Sequence, residues 1–295
     1  MAGKELHGIF PYLVTPLDEQ GHLKEQVLAD VVDHLIRQGV HGVTPLGSTG
    51  EAPYLDWATR KKTVEVVVNA AAGRVPVVAG ICNMSTPGAV REAVEIEKLG
   101  VDGILTIMPS YFPLGEPQVV GHFRAIAKAV NCPITLYTNP KFQTWDFTVD
   151  ALKQLAEEPN IQYLKDASGN VGKIMSIVST LGSRIKIFSD TSSVPLFMFL
   201  IGGAGWMSGP ACIIPKQSIE LYETARQKRW EEAAQLQIKQ WPMNVAFQRF
   251  SLSACVKAGL EMQGFPVGPP MPPQKRLNPE ERKALEKILR DIGAL

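Results

Sequence analysis

Ile161-Gln162-Tyr163-Leu164-Lys165-Asp166-Ala167-Ser168-Gly169-Asn170 is the stretch on which the reading of this chain turns. Its first five residues read as a short strand ending at Lys165, and the next five turn the chain into a helix. A lysine at the mouth of a strand-built core loses hydration. Desolvation disfavours the ammonium form and leaves a neutral, nucleophilic amine near pH 7. Such an amine forms a Schiff base with a ketone. The competing reading is a strand-end lysine snorkelling into water.

Similar short apolar runs recur along the chain: Ile9 to Val14, Gly42 to Pro45, Val75 to Ala79, Gly103 to Ile107, Ile134 to Tyr137, Ile185 to Phe188 and Gly205 to Met207. With Ile161 to Leu164 they make eight expected strands, apolar on both faces as parallel strands buried on both sides are. Amphipathic stretches separate them. Leu23 to Gln38 sets Val27, Leu28, Val31, Val32 and Leu35 on one stripe. Ser85 to Leu99 opens with a capping serine and Pro87 in its first turn, and Gly100 ends it. Gln118 to Val130, Thr148 to Ala156 and Val171 to Leu181 behave alike. The expected fold is α/β: a closed (β/α)8 TIM barrel over residues 1–225. Helices at Pro215 to Arg226, Trp230 to Phe250, Leu252 to Met262 and Pro279 to Ile292 follow, so residues 226–295 are expected as a helical extension packed on the barrel as one structural unit. Trp230 and Trp241 are expected in its core. No glycine-rich dinucleotide fingerprint follows the first strand.

The 295 residues are 45% apolar and carry a formal net charge of +1. That balance offers no footprint for nucleic acid or an anionic membrane. Cys82, Cys132, Cys212 and Cys255 are far apart and lie in apolar settings, which suits small buried hydrophobes in a reducing compartment. The first residues lead into no apolar run, and Val194 to Ile201 is too short to span a bilayer. A soluble cytoplasmic protein is expected.

Active sites of parallel barrels sit at the C-terminal strand ends. In Gly47-Ser48-Thr49-Gly50-Glu51 two glycines bracket adjacent hydroxyls, which reads either as a nest of N–H groups for a carboxylate or as an ordinary turn. It lacks the ending of a P-loop. Glu51 is expected to bond backbone groups beneath the site. Tyr137 ends a strand, as a proton shuttle beside a Schiff-base lysine or as an amphipathic core residue. Tyr111, in a Pro/aromatic loop, is a site residue or an interface aromatic. His7, His22, His34, His41 and His122 fall at no strand end with a serine or cysteine, and surface or helix-face positions are expected. No metal-ligand spacing is present. Asp166 and Asp190 are isolated carboxylates.

Together these motifs resemble the dihydrodipicolinate synthase/N-acetylneuraminate lyase superfamily. The resemblance runs through Val14-Thr15-Pro16-Leu17-Asp18, Gly47 to Glu51, Pro109-Ser110-Tyr111, Tyr137 to Pro140, Tyr163 to Asp166, Gly202 to Gly205, and Lys257 to Leu260 before Gly264 to Gly268. It implies a Schiff-base lyase of the class I aldolase type acting on pyruvate or another 2-keto acid with an aldehyde, and requiring no cofactor or metal. Lys165 would attack the keto carbon, Ser48 and Thr49 with Gly47 would hold the carboxylate, and Tyr137 would move protons. Tyr111 would reach into a neighbouring subunit's site and join a relay through the hydroxyl of Ser48, which implies a homo-oligomer, commonly a dimer of dimers. Asn139, Phe142, Met207 and Ser208 complete the expected substrate contacts.

Lysine-pathway members of that family place an arginine where this chain has Phe142, and Phe cannot pair with an aldehyde partner's carboxylate. Lys141 beside it is a point-charge substitute or a solvated loop lysine. The sugar-binding pattern of the neuraminate branch is not evident in Ser189-Asp190-Thr191 or Trp206-Met207-Ser208. Tyr137-Thr138-Asn139-Pro140, with Phe142, Trp145 and Phe147, resembles the hydratase-aldolase branch, where the matching asparagine orients a water or hydroxyl; Asn139 is that residue or a turn cap. The same imine serves a dehydratase of 2-keto-3-deoxy sugar acids or a dihydrodipicolinate synthase-like activity. A non-catalytic keto-acid-binding barrel is the reading outside enzymology.

Overall fold

The computed structural model describes residues 5–189, 193 and 195–295. Asp190 and Thr191, singled out above, lie outside the described residues. In chain order the elements are β1 (Gly8–Pro11), α1 (Glu25–Arg37), α2 (Trp57–Ala71), β2 (Val78–Cys82), α3 (Thr86–Glu97), β3 (Gly103–Ile107), α4 (Glu116–Ala129), β4 (Ile134–Thr138), α5 (Val149–Leu155), β5 (Ile161–Asp166), α6 (Val171–Leu181), β6 (Lys186–Ser189), α7 (Pro195–Leu200), β7 (Gly205–Ser208), α8 (Pro215–Arg226), α9 (Trp230–Arg249), α10 (Leu252–Met262) and α11 (Pro279–Asp291).

The seven strands are all parallel, in the order β1-β7-β6-β5-β4-β3-β2. The expected second strand, Gly42 to Pro45, is too short for a ladder of its own. It still closes the barrel: Thr44 bridges Tyr12 beside β1, and Val43 bridges Val77 before β2. The Thr44 N–H donates to Pro11 O and the Val78 N–H to Val43 O. This is a (β/α)8 barrel.

Strand parity sorts the side chains. Phe10, Leu105, Ile107, Tyr137, Tyr163, Phe188 and Met207 pack together inside the barrel. Ile104, Ile134, Leu136, Leu164 and Ile187 point outward against the helices. Tyr163 closes the floor by accepting from the Leu6 N–H at 2.9 Å. Lys165, two residues beyond Tyr163, is therefore also an inward position.

Several helices begin where a side chain satisfies one of their first N–H groups. Ser85 accepts from Gly88, Thr148 from Ala151 and Asn170 from Lys173. Asn278 and Glu281 form a reciprocal capping box at α11. Two expectations need correction. The run Val75 to Ala79 starts too early, because Pro76 cannot donate to a ladder, and β2 begins at Val78. The valine-rich stretch before it, for which the sequence offered no reading, is helix α2, with Thr63, Val64, Val67 and Ala71 as its buried residues. Trp241 is not core: with Ile238 and Val245 it is exposed on α9.

His122 lies on a helix as expected, though on a buried face, whereas His41 lies on no helix. His122 is 2% exposed on α4, bonded at Nδ1 to the Thr86 hydroxyl at 3.0 Å. Burial pushes its imidazole down to about 4. His41 accepts from the Ile9 N–H at Nδ1 and meets Glu223 at Nε2; burial lowers its pKa also, against the pull of Glu223.

A histidine held neutral in the fold but free to protonate when unfolded stabilises the protein above about pH 6.5. That contribution disappears as pH falls toward 4. His122 should contribute about 3 kcal/mol to this loss. Urea midpoints measured across that range should fall steeply for the natural chain and less steeply for His122→Gln.

Candidate active site

At the C-terminal ends of the strands a cavity of about 440 Å³ opens. Leu46, Ala52, Pro53, Ile81, Leu105, Ile107, Pro109 and Leu252 make most of its wall apolar, and Gly47, Ser48, Tyr54, Gly80, Cys82, Tyr137, Phe142, Ser253 and Gln274 add the rest. Among the described residues the wall contains no lysine, arginine or histidine.

Lys165 lies behind that wall, 0% exposed. It pairs in register with Tyr137 on β4 and Phe188 on β6. Its Nζ lies 3.6 Å from the centroid of the Tyr137 ring and 4.3 Å from that of Tyr12. Tyr137 therefore touches both the amine and the cavity. Tyr12 was missed in the sequence: it reads as one more apolar residue of the first strand, and only barrel closure through Thr44 turns its ring to the lysine.

Asn139 acts locally and on the site together. Its Oδ1 accepts from the Lys141 N–H at 3.0 Å, and its Nδ2 donates to the Tyr137 hydroxyl at 2.9 Å. The phenol is thereby fixed in orientation. Phe142 stands at the rim, 46% exposed. Behind this loop Thr138 donates to Asp146, Lys173 bridges Asp146 and Asp166, and Ser168 donates to Asp166. Asp166 is thus a brace between β5 and α6.

Ser48–Gly50 is a single tight turn that starts from Gly47. Ser48 lines the cavity, whereas Thr49 is wholly buried. The Thr49 Oγ1 has no hydrogen-bond partner among the described residues. Leaving a buried hydroxyl unpaired costs about 1–3 kcal/mol, so this group stands ready for an acceptor. The turn is framed by two left-handed residues that are not glycine, Leu46 at φ 59° and Glu51 at φ 58°. Strain of this kind costs about 1–3 kcal/mol per residue and persists only where the surroundings impose it.

Glu51 meets that condition. Its Oε1 accepts from the Met271 N–H and from Gln274 Nε2, both at 2.8 Å. Its Oε2 lies 2.6 Å from Lys257 Nζ, a close ionic contact poorly angled for a hydrogen bond. Burial lowers the Lys257 pKa, and the Glu51 charge opposes that shift. Leu252, Ser253 and Gln274, all in the C-terminal region, were not foreseen as wall residues; their sequence gives only an amphipathic helix and a proline-rich loop.

Other expected site residues sit elsewhere. Met207 is packed inside the barrel. Ser208 is buried, its Oγ accepting from the Ala211 N–H at 3.1 Å. Neither belongs to the cavity wall, because strand β7 ends in a tight turn that carries both under the rim. Tyr111 is 83% exposed and Phe112 70%, with rings edge to face at 5.0 Å; Tyr111 is not part of the chain's own cavity wall. All four cysteines are free thiols. Cys82 reaches the wall, and burial pushes its thiol up to about 12.

The model of the dihydrodipicolinate synthetase family matches residues 5–292. A 4-hydroxy-tetrahydrodipicolinate synthase of Methanopyrus kandleri is 32% identical over 99% of this chain and 98% of its own. An uncharacterised DapA-like lyase of Halobacterium salinarum is 33% identical over 98% of this chain and 95% of its own. Among solved structures, dihydrodipicolinate synthase from Aquifex aeolicus superposes with a TM-score of 0.94 at 26% identity, covering 98% of each chain.

The turn's packing is testable through two glycines. A Cβ on Gly80 would lie 2.1 Å from the Leu46 carbonyl oxygen, whereas one on Gly121 in α4 meets nothing within 4 Å. Gly80→Ala should cost about 1–3 kcal/mol or more in urea unfolding and weaken keto-acid binding. Gly121→Ala should stabilise by about 0.5–1 kcal/mol.

Proposed function

The chain belongs to the dihydrodipicolinate synthetase family, and from that premise we propose that Lys165 forms an imine with pyruvate and joins it to, or releases it from, an aldehyde with an apolar or aromatic body. The enzyme is a lyase of the class I aldolase type. The observation that carries the reading of the site is the wholly buried Lys165 amine, 3.6 Å from the ring of a tyrosine that also lines the cavity.

Lys165 Nζ attacks the keto carbon, and loss of water gives the imine. The pyruvate carboxylate is assigned to the Gly47-Ser48-Thr49 turn, supported by the unpaired Thr49 hydroxyl. The protonated imine draws electrons from the neighbouring methyl carbon, which loses a proton to become an enamine. The enamine carbon then bonds to the aldehyde carbon, and hydrolysis frees the lysine. Tyr137, its hydroxyl held by Asn139, is placed to carry the protons. The faces of Tyr12 and Tyr137 favour the cationic imine.

The apolar wall and Phe142 support an uncharged second partner. A wall without a cation among the described residues leaves a second carboxylate poorly compensated. That weighs against the activity printed in the names of the synthase relatives, and likewise against polyhydroxylated 2-keto-3-deoxy acids. The exposed Tyr111–Phe112 pair supports a homo-oligomeric assembly in which Tyr111 serves a neighbouring site. Four unpaired thiols fit a reducing cytoplasm.

Incubation with pyruvate, borohydride reduction and intact-mass measurement should add one reduced pyruvate to the natural chain and none to Lys165→Ala. A natural chain without adduct overturns the reading. Tyr137→Phe should lower kcat by about 10²–10⁴. In a panel of aldehydes, aromatic members should give higher kcat/KM than aspartate semialdehyde. Phe142→Arg should raise the latter by about tenfold, the size of one charge-assisted hydrogen bond.

A further inference from the structure

Glu51 and Lys257 are both buried, with side chains 0% and 2% exposed, and neither stands in the cavity wall. Lys257, in the middle of α10, also donates to the Pro269 carbonyl at 2.7 Å. Glu51 in turn receives the Met271 N–H and the Gln274 amide. Gln274 accepts from the Ser251 hydroxyl at 3.0 Å, and Ser251 precedes α10, whose first two residues line the cavity. One carboxylate thus ties together the tight turn, the proline-rich strap and the start of α10.

The position of that carboxylate matters more than its charge balance. Glu51 follows Ser48–Gly50 directly and holds a left-handed backbone, which a residue with a Cβ keeps only when its surroundings hold it. Buried ion pairs contribute little net stability, since desolvation offsets their attraction. A pair at the foot of a strained turn is better explained by the geometry it imposes.

We propose that the Lys257–Glu51 pair is a latch through which the C-terminal region sets the shape of the Ser48–Thr49 turn, making both residues positioning residues for the keto acid. The proposal rests on the assignment of that turn to the pyruvate carboxylate. It acts through the turn, so it governs occupancy of the site more than turnover.

Lys257→Met, Glu51→Gln and the double variant Glu51→Gln/Lys257→Met should be compared with the natural chain by borohydride trapping over a range of pyruvate concentrations. Glu51→Gln keeps an acceptor for Met271 and Gln274, and the double variant leaves no unpaired buried charge. The pyruvate concentration giving half-maximal adduct should rise about ten- to a hundredfold in each, the scale of effect of a small misplacement. Saturating pyruvate should still give one adduct per chain, and kcat should fall less than KM rises. A folded variant with the natural half-saturation overturns the latch, even if its melting temperature has dropped. If Lys257→Met does not fold, the double variant is judged by the same criterion. Failure of both to fold makes the pair a folding element and rejects the latch. Absence of adduct in the natural chain removes the keto-acid reading itself, a result separate from natural trapping with unshifted variants.

Discussion

Burying one primary amine inside a closed barrel, between the rings that line it, is the constraint from which the rest of the site follows. A cation buried there is costly unless its surroundings compensate it. A Schiff-base reaction nevertheless passes through a cation. The two tyrosine faces beside Lys165 resolve that conflict. They are hydrophobic enough to keep the site dry and electron-rich enough to favour positive charge where the imine forms. The same barrel parity that points Tyr163 and Phe188 inward to fill the core delivers the lysine to this place. Packing and chemistry therefore rest on one two-residue alternation.

Much of this was legible in the residues. The repeat of short apolar runs and amphipathic stretches gave the barrel, and Lys165, Tyr137 and the Gly47–Glu51 turn stood out by their places at strand ends. What stayed hidden depended on contacts between distant parts of the chain. Tyr12 is indistinguishable from its apolar neighbours until Thr44 bridges it. The valines of α2 favour a strand by local preference, and tertiary packing of Val64 and Val67 overrides it. Met207 and Ser208 were drawn to the site by their strand-end position, although the turn after β7 leaves them under the rim. Lys257 reads as an ordinary helical lysine, because nothing near it in sequence announces the carboxylate it meets.

The helices after the barrel show how an appendage becomes part of a site. Leu252, Ser253 and Gln274 stand in the cavity wall opposite the strand ends. The barrel provides the buried lysine and the turn, whereas part of the cavity wall comes from the later residues. A wall drawn from two parts of the chain suits the reuse of one fold for many partners.

Glu51 bonds Gln274 across 223 residues of sequence. During synthesis the ribosome releases the barrel well before the segment that completes this contact, and barrels can assemble as their strands emerge. Lys165 is thus made early and the turn at the cavity is finished last. On the proposed assignment of that turn to the keto acid's carboxylate, a chain cut short in its final helices would carry the lysine without the finished cradle, and unfinished copies would have little means to capture keto acids.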